Sequence, residues 1–345
     1  MRKAPFAPSP PVNPPLKIWL LLGCSLALFG RPAQAEFTLL GPVETLDNGT
    51  VTLQVALHVG RIVSYHRHGE ADWLVVHDEP PRPGWNWNPW GGDRMWPTSQ
   101  AINYQIYHNN GFDPVIDGQP WDLISKTPVA LEMRSGISPQ LGLRVTHRIE
   151  LIGKTAGVLH TYRVERLSES NFPVQIWTVT GVRADGFMLM ESDPRIKHDD
   201  YKPYKTWLGQ GYTATPAASL LPHTRILRIL PPEQDALKLG AYGRWVALVS
   251  GGSAFLQSVD YLPAQLYMDA CNLESFIDPA TGTYELETIS PTWFLRKGET
   301  REWTVRWRLL TLPPAAKEPA AAAAFLQAQA DAKGAPLPPS GDPSW

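Results

Sequence analysis

Apolar and polar residues alternate along most of this chain in short runs with a period of two. In Trp303-Thr304-Val305-Arg306-Trp307-Arg308-Leu309 every second residue is apolar, the pattern of a strand with one face buried and the other in water. Comparable strand-like runs cover residues 51–55, 61–65, 73–76, 143–151, 158–167, 174–182, 225–230, 245–249, 254–259, 284–289 and 302–310. Turn residues punctuate them, as in Asp47-Asn48-Gly49, Pro83-Gly84, Asp117-Gly118, Thr281-Gly282 and Lys297-Gly298. Helical periodicity longer than two turns is absent before the C-terminus. The pattern predicts an all-β chain built as a large sandwich of antiparallel strands.

Two segments break the rhythm. Residues 80–110 read as one long loop in which Trp85, Trp87, Trp90, Trp96, Tyr104 and Tyr107 sit among Gly, Asn and Pro. An aromatic-rich loop of that length inside a domain is more often functional than idle. From residue 314 the chain turns to Ala and Pro. Residues 315–333 are expected to be helical and 334–345 to lack structure.

The N-terminus has the three parts of an export signal. Arg2, Lys3 and Lys17 are basic, residues 18–29 form an uncharged apolar run of 12, and Ala33-Gln34-Ala35 places small residues where a signal peptidase reads. Twelve residues are too few to span a bilayer, and no later run approaches the length that would. A competing reading takes Leu21-Leu22-Gly23-Cys24 as a lipobox, which would anchor the chain through a lipid on Cys24. It leaves only about six apolar residues before the cysteine, so cleavage after Ala35 fits better. The expected organisation is a signal over 1–35, one β domain over 36–313 and a tail over 314–345, delivered to the periplasm or beyond.

Cleavage changes the chemistry of what is delivered. Cys24 leaves with the signal and Cys271 stays alone, so no intrachain disulfide supports the fold. Arg2, Lys3, Lys17 and Arg31 also leave, so the 31 basic residues fall to 27 against 33 acidic ones. Mild acidity argues against a nucleic-acid partner, which calls for a basic patch. No Gly-x-Ser-x-Gly, phosphate-binding glycine loop or Cys/His nucleophile arrangement occurs, and no cofactor is expected. His66 and His68 are close in sequence, but no third ligand stands at a metal spacing, so no metal site is expected either.

Candidate chemistry concentrates in two places. In the loop, Trp87, Trp90 and Trp96 surround Asp93 and Arg94, with Gly91-Gly92 allowing tight backbone geometry. Flat rings beside Asn, Asp and Arg suit a sugar, whose C–H face lies on an aromatic plane while its hydroxyls take fixed donors and acceptors. The plainer alternative is that the tryptophans cap one end of the sandwich and Asp93–Arg94 is a local ion pair. In Thr283-Tyr284-Glu285-Leu286-Glu287-Thr288, strand geometry puts Glu285 and Glu287 on one face, about 7 Å apart. Two such carboxylates either face water, the commoner case, or share donors that pull their pKa values apart.

These residues resemble those of the galactose mutarotase-like, or aldose 1-epimerase, superfamily. Gly60-Arg61-Ile62-Val63-Ser64-Tyr65 is similar to an early strand of its domains, and Gly91-Gly92-Asp93-Arg94-Met95-Trp96-Pro97 to a loop of its bacterial members. Tyr284 to Pro291, then Leu295-Arg296-Lys297-Gly298-Glu299 and the strand ending at Leu309, resemble its C-terminal end. The resemblance implies a supersandwich whose concave face binds a carbohydrate. It implies a glutamate base on a late strand, matched by Glu287 in Leu286-Glu287-Thr288, with Glu285 beside it. The family's acid histidine follows an asparagine, and no Asn-His occurs in this chain. His160, on a mid-chain strand, and His108, beside the Trp-rich loop, are the candidates in its place. The expected activity is carbohydrate binding, with anomeric epimerisation as its catalytic form. The competing expectation is a non-catalytic envelope domain using the Trp-rich loop as a protein-binding patch.

Overall fold

The computed structural model describes residues 39–77, 90–107, 112–198, 201–209, 211–213 and 217–331. The export segment with Cys24, and residues 334–345, lie outside them. All the described residues belong to the unit Phe37–Trp345. Two antiparallel sheets are stacked. The first contains nine strands in the order β1 (Val43–Asp47), β2 (Val51–Ala56), β3 (Arg61–Arg67), β4 (Asp93–Trp96), β9 (Trp177–Gly181), β18 (Thr283–Ile289), β17 (Leu273–Asp278), β14 (Leu237–Ala241) and β11 (Lys205–Thr206). The second contains ten: β12 (Ala218–Leu220), β13 (Ile226–Ile229), β10 (Phe187–Glu191), β15 (Trp245–Ser250), β16 (Ser253–Val259), β19 (Thr300–Thr311), β8 (Gly157–Arg166), β7 (Leu143–Leu151), β6 (Ala130–Arg134) and β5 (Asp122–Lys126).

The period of two explains the core. In β19, Trp303, Val305, Trp307 and Leu309 turn inward while Glu302, Thr304, Arg306 and Arg308 turn outward. Across the gap, Tyr65 of β3 meets Phe255 of β16 and Trp307 of β19, each with ring centroids 5.7 Å apart. Polar groups also enter this layer, and several of them hydrogen-bond to one another. The hydroxyls of Thr180 and Tyr162 donate to Asp93, and the Gln257 amide donates to Thr180. His147 and His160 share a hydrogen bond of 3.2 Å, and the His147 ring stacks on Tyr162 at 3.9 Å. Burial pushes the Asp93 carboxyl up to about 7 against those two hydroxyls, and pushes His160 down to about 3.

Two expectations are corrected. Within 80–110 the chain is not all loop, because Asp93–Trp96 is strand β4 and Gln100–Tyr107 is helix α1. β4 pairs along its length with β9, so Trp96 is opposite Trp177 and its hydrogen bonds come from a distant partner. Residues 73–76 form two isolated bridges, Leu74 to Val182 and Val76 to Gly91, rather than a strand. Gly91 and Gly92 explain the close approach: both have positive φ, and a Cβ there would lie 2.2 Å from the Val75 carbonyl oxygen and 2.4 Å from that of Ile62. Several strands carry no clear period-two signal because both their faces are buried, β14 and β10 among them.

At the C-terminal end, a 3₁₀ turn (Pro314–Ala316) leads into helix α2 (Pro319–Asp331). Ala322, Ala323 and Leu326 of α2 pack on Trp245, Ala247 and Leu256, the outward residues of β15 and β16. Trp245 Nε1 donates to Gln327, and Arg244 pairs with Asp331. Leu326→Ala is expected to cost about 3 kcal/mol, read as a lowered thermal midpoint; an unchanged midpoint would mean that the helix adds nothing to the fold. Among the described residues no helix is long and apolar enough to cross a membrane.

Candidate functional site

Chemistry collects on the outer face of the nine-stranded sheet, the face turned away from the ten-stranded one. Register puts Arg94 beside Val179, Val179 beside Glu287, Glu287 beside Glu274 and Glu274 beside Gly240. One row over, Gly181, Glu285, Phe276 and Lys238 are neighbours in the same way. Strand alternation alone sends these side chains to one side, because their immediate neighbours Leu239, Leu273 and Leu286 fill the core.

Lys238 is the hub. Its Nζ lies 2.6 Å from Glu274 Oε2 and 3.0 Å from Glu287 Oε2. Trp177 Nε1 donates to the same Glu287 oxygen at 2.7 Å. The ammonium stands 4.9 Å from the Trp177 ring centre and 5.3 Å from that of Trp207, within cation–π range of both. Glu287 is 0% exposed, and burial pushes its carboxyl up to about 7, opposed by Lys238 and reinforced by Glu274. Burial also opposes the charge on Lys238, but Glu274 and Glu287 outweigh it and hold the ammonium above its ordinary range.

Beside this hub the pattern of cation, carboxylate and ring repeats. Arg94 Nη1 lies 3.1 Å from Glu285 Oε1, and its guanidinium stands 5.4 Å over the Trp96 ring. Burial raises the Glu285 carboxyl and Arg94 opposes the rise. Trp96 meets Trp177 edge to face at 5.1 Å and donates Nε1 to Asp117 at 2.6 Å. Asp117 also takes Arg61 at 2.7 Å, and Arg61 stands 5.5 Å from the Trp90 ring. Phe112 belongs to the same buried apolar cluster as Trp96 and Trp177. What stays accessible is half-buried Phe276 and Trp207, at the edge of buried Glu285 and Lys238, together with a small cavity where His77, Arg94 and Glu285 meet the glycines Gly91, Gly181 and Gly282.

The candidates read from the sequence therefore separate. Arg94, Trp96, Glu285 and Glu287 share the outer face, and Trp90 joins them through Arg61. Asp93 is turned into the layer between the sheets, where it binds Thr180 and Tyr162 instead of facing outward with Arg94. His160 lies in that same interior, 4.2 Å from Trp307, with the nine-stranded sheet between it and the outer-face carboxylates. Trp85, Trp87 and His108 lie outside the described residues. Glu285 and Glu287 do share a strand face, but it is buried by Arg94, Lys238 and Trp177 rather than solvated.

No family model matches the chain, and no curated protein matches it. Solved structures do. A galactose mutarotase-like protein from Lactobacillus casei superposes with a TM-score of 0.55 at 11% identity, over 78% of this chain and 100% of its own. A galactose mutarotase related enzyme from Lactobacillus acidophilus gives 0.53 at 12%, over 79% and 98%. A putative aldose 1-epimerase from Escherichia coli K12 gives 0.51 at 13%, over 79% and 99%. The fold is that of the galactose mutarotase-like proteins.

Within this mutarotase-like fold, sequence reasoning missed Arg61, Asp117, Trp177, Trp207, Lys238 and Glu274. Lys238 left one usable trace: it stands between Leu237 and Leu239, where a charged residue on an otherwise apolar strand calls for a buried partner. Arg61 and Asp117 lie 56 positions apart in sequence, and nothing local announces their pairing.

Proposed function

We propose that this protein recognises carbohydrate on the outer face of its nine-stranded sheet, binding the sugar against Trp207 and Phe276 with Arg94, Glu285 and Lys238 at its hydroxyls. The observation that carries this reading is the alternation of charge and ring across one face, Arg94–Trp96–Trp177–Lys238–Trp207, with Glu285 and Glu287 threaded through it. Planar apolar surface beside fixed donors and acceptors is what a pyranose requires. The mutarotase-like fold supports the same reading by analogy.

Binding is favoured over epimerisation. A base must reach the proton it removes, and Glu287 is fully buried with both oxygens held by Lys238 and one also by Trp177. An anomeric epimerase using Glu287 would first have to release that bridge. The basic, apolar and Ala-x-Ala parts of residues 1–35 support export to the periplasm or beyond, where such a binder would meet extracellular glycans.

Titration calorimetry against a panel of monosaccharides tests the site. Trp207→Ala is expected to weaken the best ligand about tenfold, the loss of one stacking platform, while far-UV dichroism stays that of the wild type. Unchanged affinity in that variant sinks the site. Polarimetry on fresh α-anomers of the same sugars separates the two forms: interconversion faster than buffer, lost in Glu287→Gln, would establish catalysis in place of binding.

A further inference from the structure

The outer face continues past Trp207 onto a second group of rings. Lys238 and Gly240 of β14, and Tyr242 just beyond its end, alternate to the same side. At the rise of an extended chain, Lys238 and Tyr242 are about 13 Å apart, longer than one sugar ring. Trp207 stands over the midpoint, where a Cβ on Gly240 would lie only 3.1 Å from the indole. Beyond it, the Tyr242 ring is near-parallel to His198, with centroids 5.8 Å apart and planes 10° apart, and it lies 5.9 Å from Tyr261. All three rings are half-buried, so each keeps part of its surface in water. Tyr242 and Tyr261 pack against the cluster holding Trp96 and Trp177, which makes the second group continuous with the first.

Resting on the carbohydrate reading of this face, we infer that the site holds a glycan chain of at least two sugar units, not a free monosaccharide. One unit lies by Phe276 and Lys238, and the next lies across Trp207 on Tyr242 and Tyr261. A single ring occupies one platform and leaves the other wet. A chain covers both, and the entropy of association is lost once instead of twice. Beside the second platform Asp193 and Arg195 are paired with each other at 2.6 Å, and the Lys205 ammonium stands 4.0 Å from the Trp207 ring centre, where it can also meet a sugar hydroxyl.

The test is calorimetry with one-, two-, three- and four-unit members of the glucose, galactose, mannose and N-acetylglucosamine series. At least one series is expected to tighten about tenfold from the first to the longer members. Tyr242→Ala/Tyr261→Ala is expected to bring the longer members back to the monosaccharide affinity while leaving the monosaccharide itself unchanged. A dissociation constant independent of chain length overturns this inference and leaves the carbohydrate reading standing. No binding by any member overturns both. Should the double variant lose its fold, the chain-length ratio of the wild-type protein decides by itself.

Discussion

Lys238→Met is expected to destabilise the protein by about 3–5 kcal/mol, lowering its thermal midpoint by roughly 10 °C. The size follows from what is left behind. Glu274 and Glu287 are 1% and 0% exposed, on directly paired positions of neighbouring strands, and Lys238 is the cation between them. Without it, two buried carboxylates repel each other in a medium of low dielectric. The loss carries a pH signature. A carboxyl raised on folding contributes stability that is fully present below its unfolded pKa and is lost as pH rises through its folded one. For Glu287 in the wild-type protein that window runs from 4.5 to about 7, and in the variant it extends further up. Urea unfolding should therefore show a small deficit at pH 5 and a large one at pH 8; equal deficits would contradict the account. Adding Glu274→Leu and Glu287→Leu to Lys238→Met should recover most of the loss, because removing a whole buried ionic group is far milder than removing one member.

The second large effect is acid sensitivity from the histidines between the sheets. Burial lowers His160 from 6.5 to about 3, and lowers His147 in the same direction with His160 adding to the shift. Both rings stay neutral in the fold while the unfolded chain takes up protons below 6.5. Their contribution is fully present above 6.5 and is lost as pH falls through that value toward the folded pKa. At ~1.4 kcal/mol per pH unit, His160 alone gives up about 3 kcal/mol between pH 6.5 and 4.5. Glu287 and Asp93 act in the opposite sense over part of this range, so the informative quantity is a difference. His160→Phe keeps the contact with Trp307 and removes the proton site. Its stability relative to wild type should rise by about 3 kcal/mol on going from pH 7 to 4.5. A difference that does not change with pH would mean that His160 titrates normally in the folded protein.

The legible part of the fold was the part where one strand face meets water. The run ending at Leu309 reads correctly because Arg306 and Arg308 face outward, in alternation with Val305, Trp307 and Leu309 in the core. β14 and β10 were silent because nearly all of their residues are buried, which erases the contrast that periodicity depends on. β4 was hidden for another reason: its pairing partner β9 begins at Trp177, far downstream of Trp96, and nothing local announces such a pairing. In the site, Glu285 and Glu287 were visible as a same-face pair, and Arg94 and Trp96 as loop residues of the right chemistry. Their partners were not.

Alternation, turn residues and the order of the motifs thus determined an antiparallel sandwich of mutarotase-like fold and a short list of charged and aromatic residues, because those signals are local and period two is a property of the strand itself. Tertiary structure alone decided which of them act together. It turned Asp93 inward to Thr180 and Tyr162, set His160 in the core beside His147, and brought Lys238, Trp177 and Glu274 onto Glu287. Those choices depend on strand order and register between segments far apart in the chain, and on the requirement that a charge taken out of water meet its partner there.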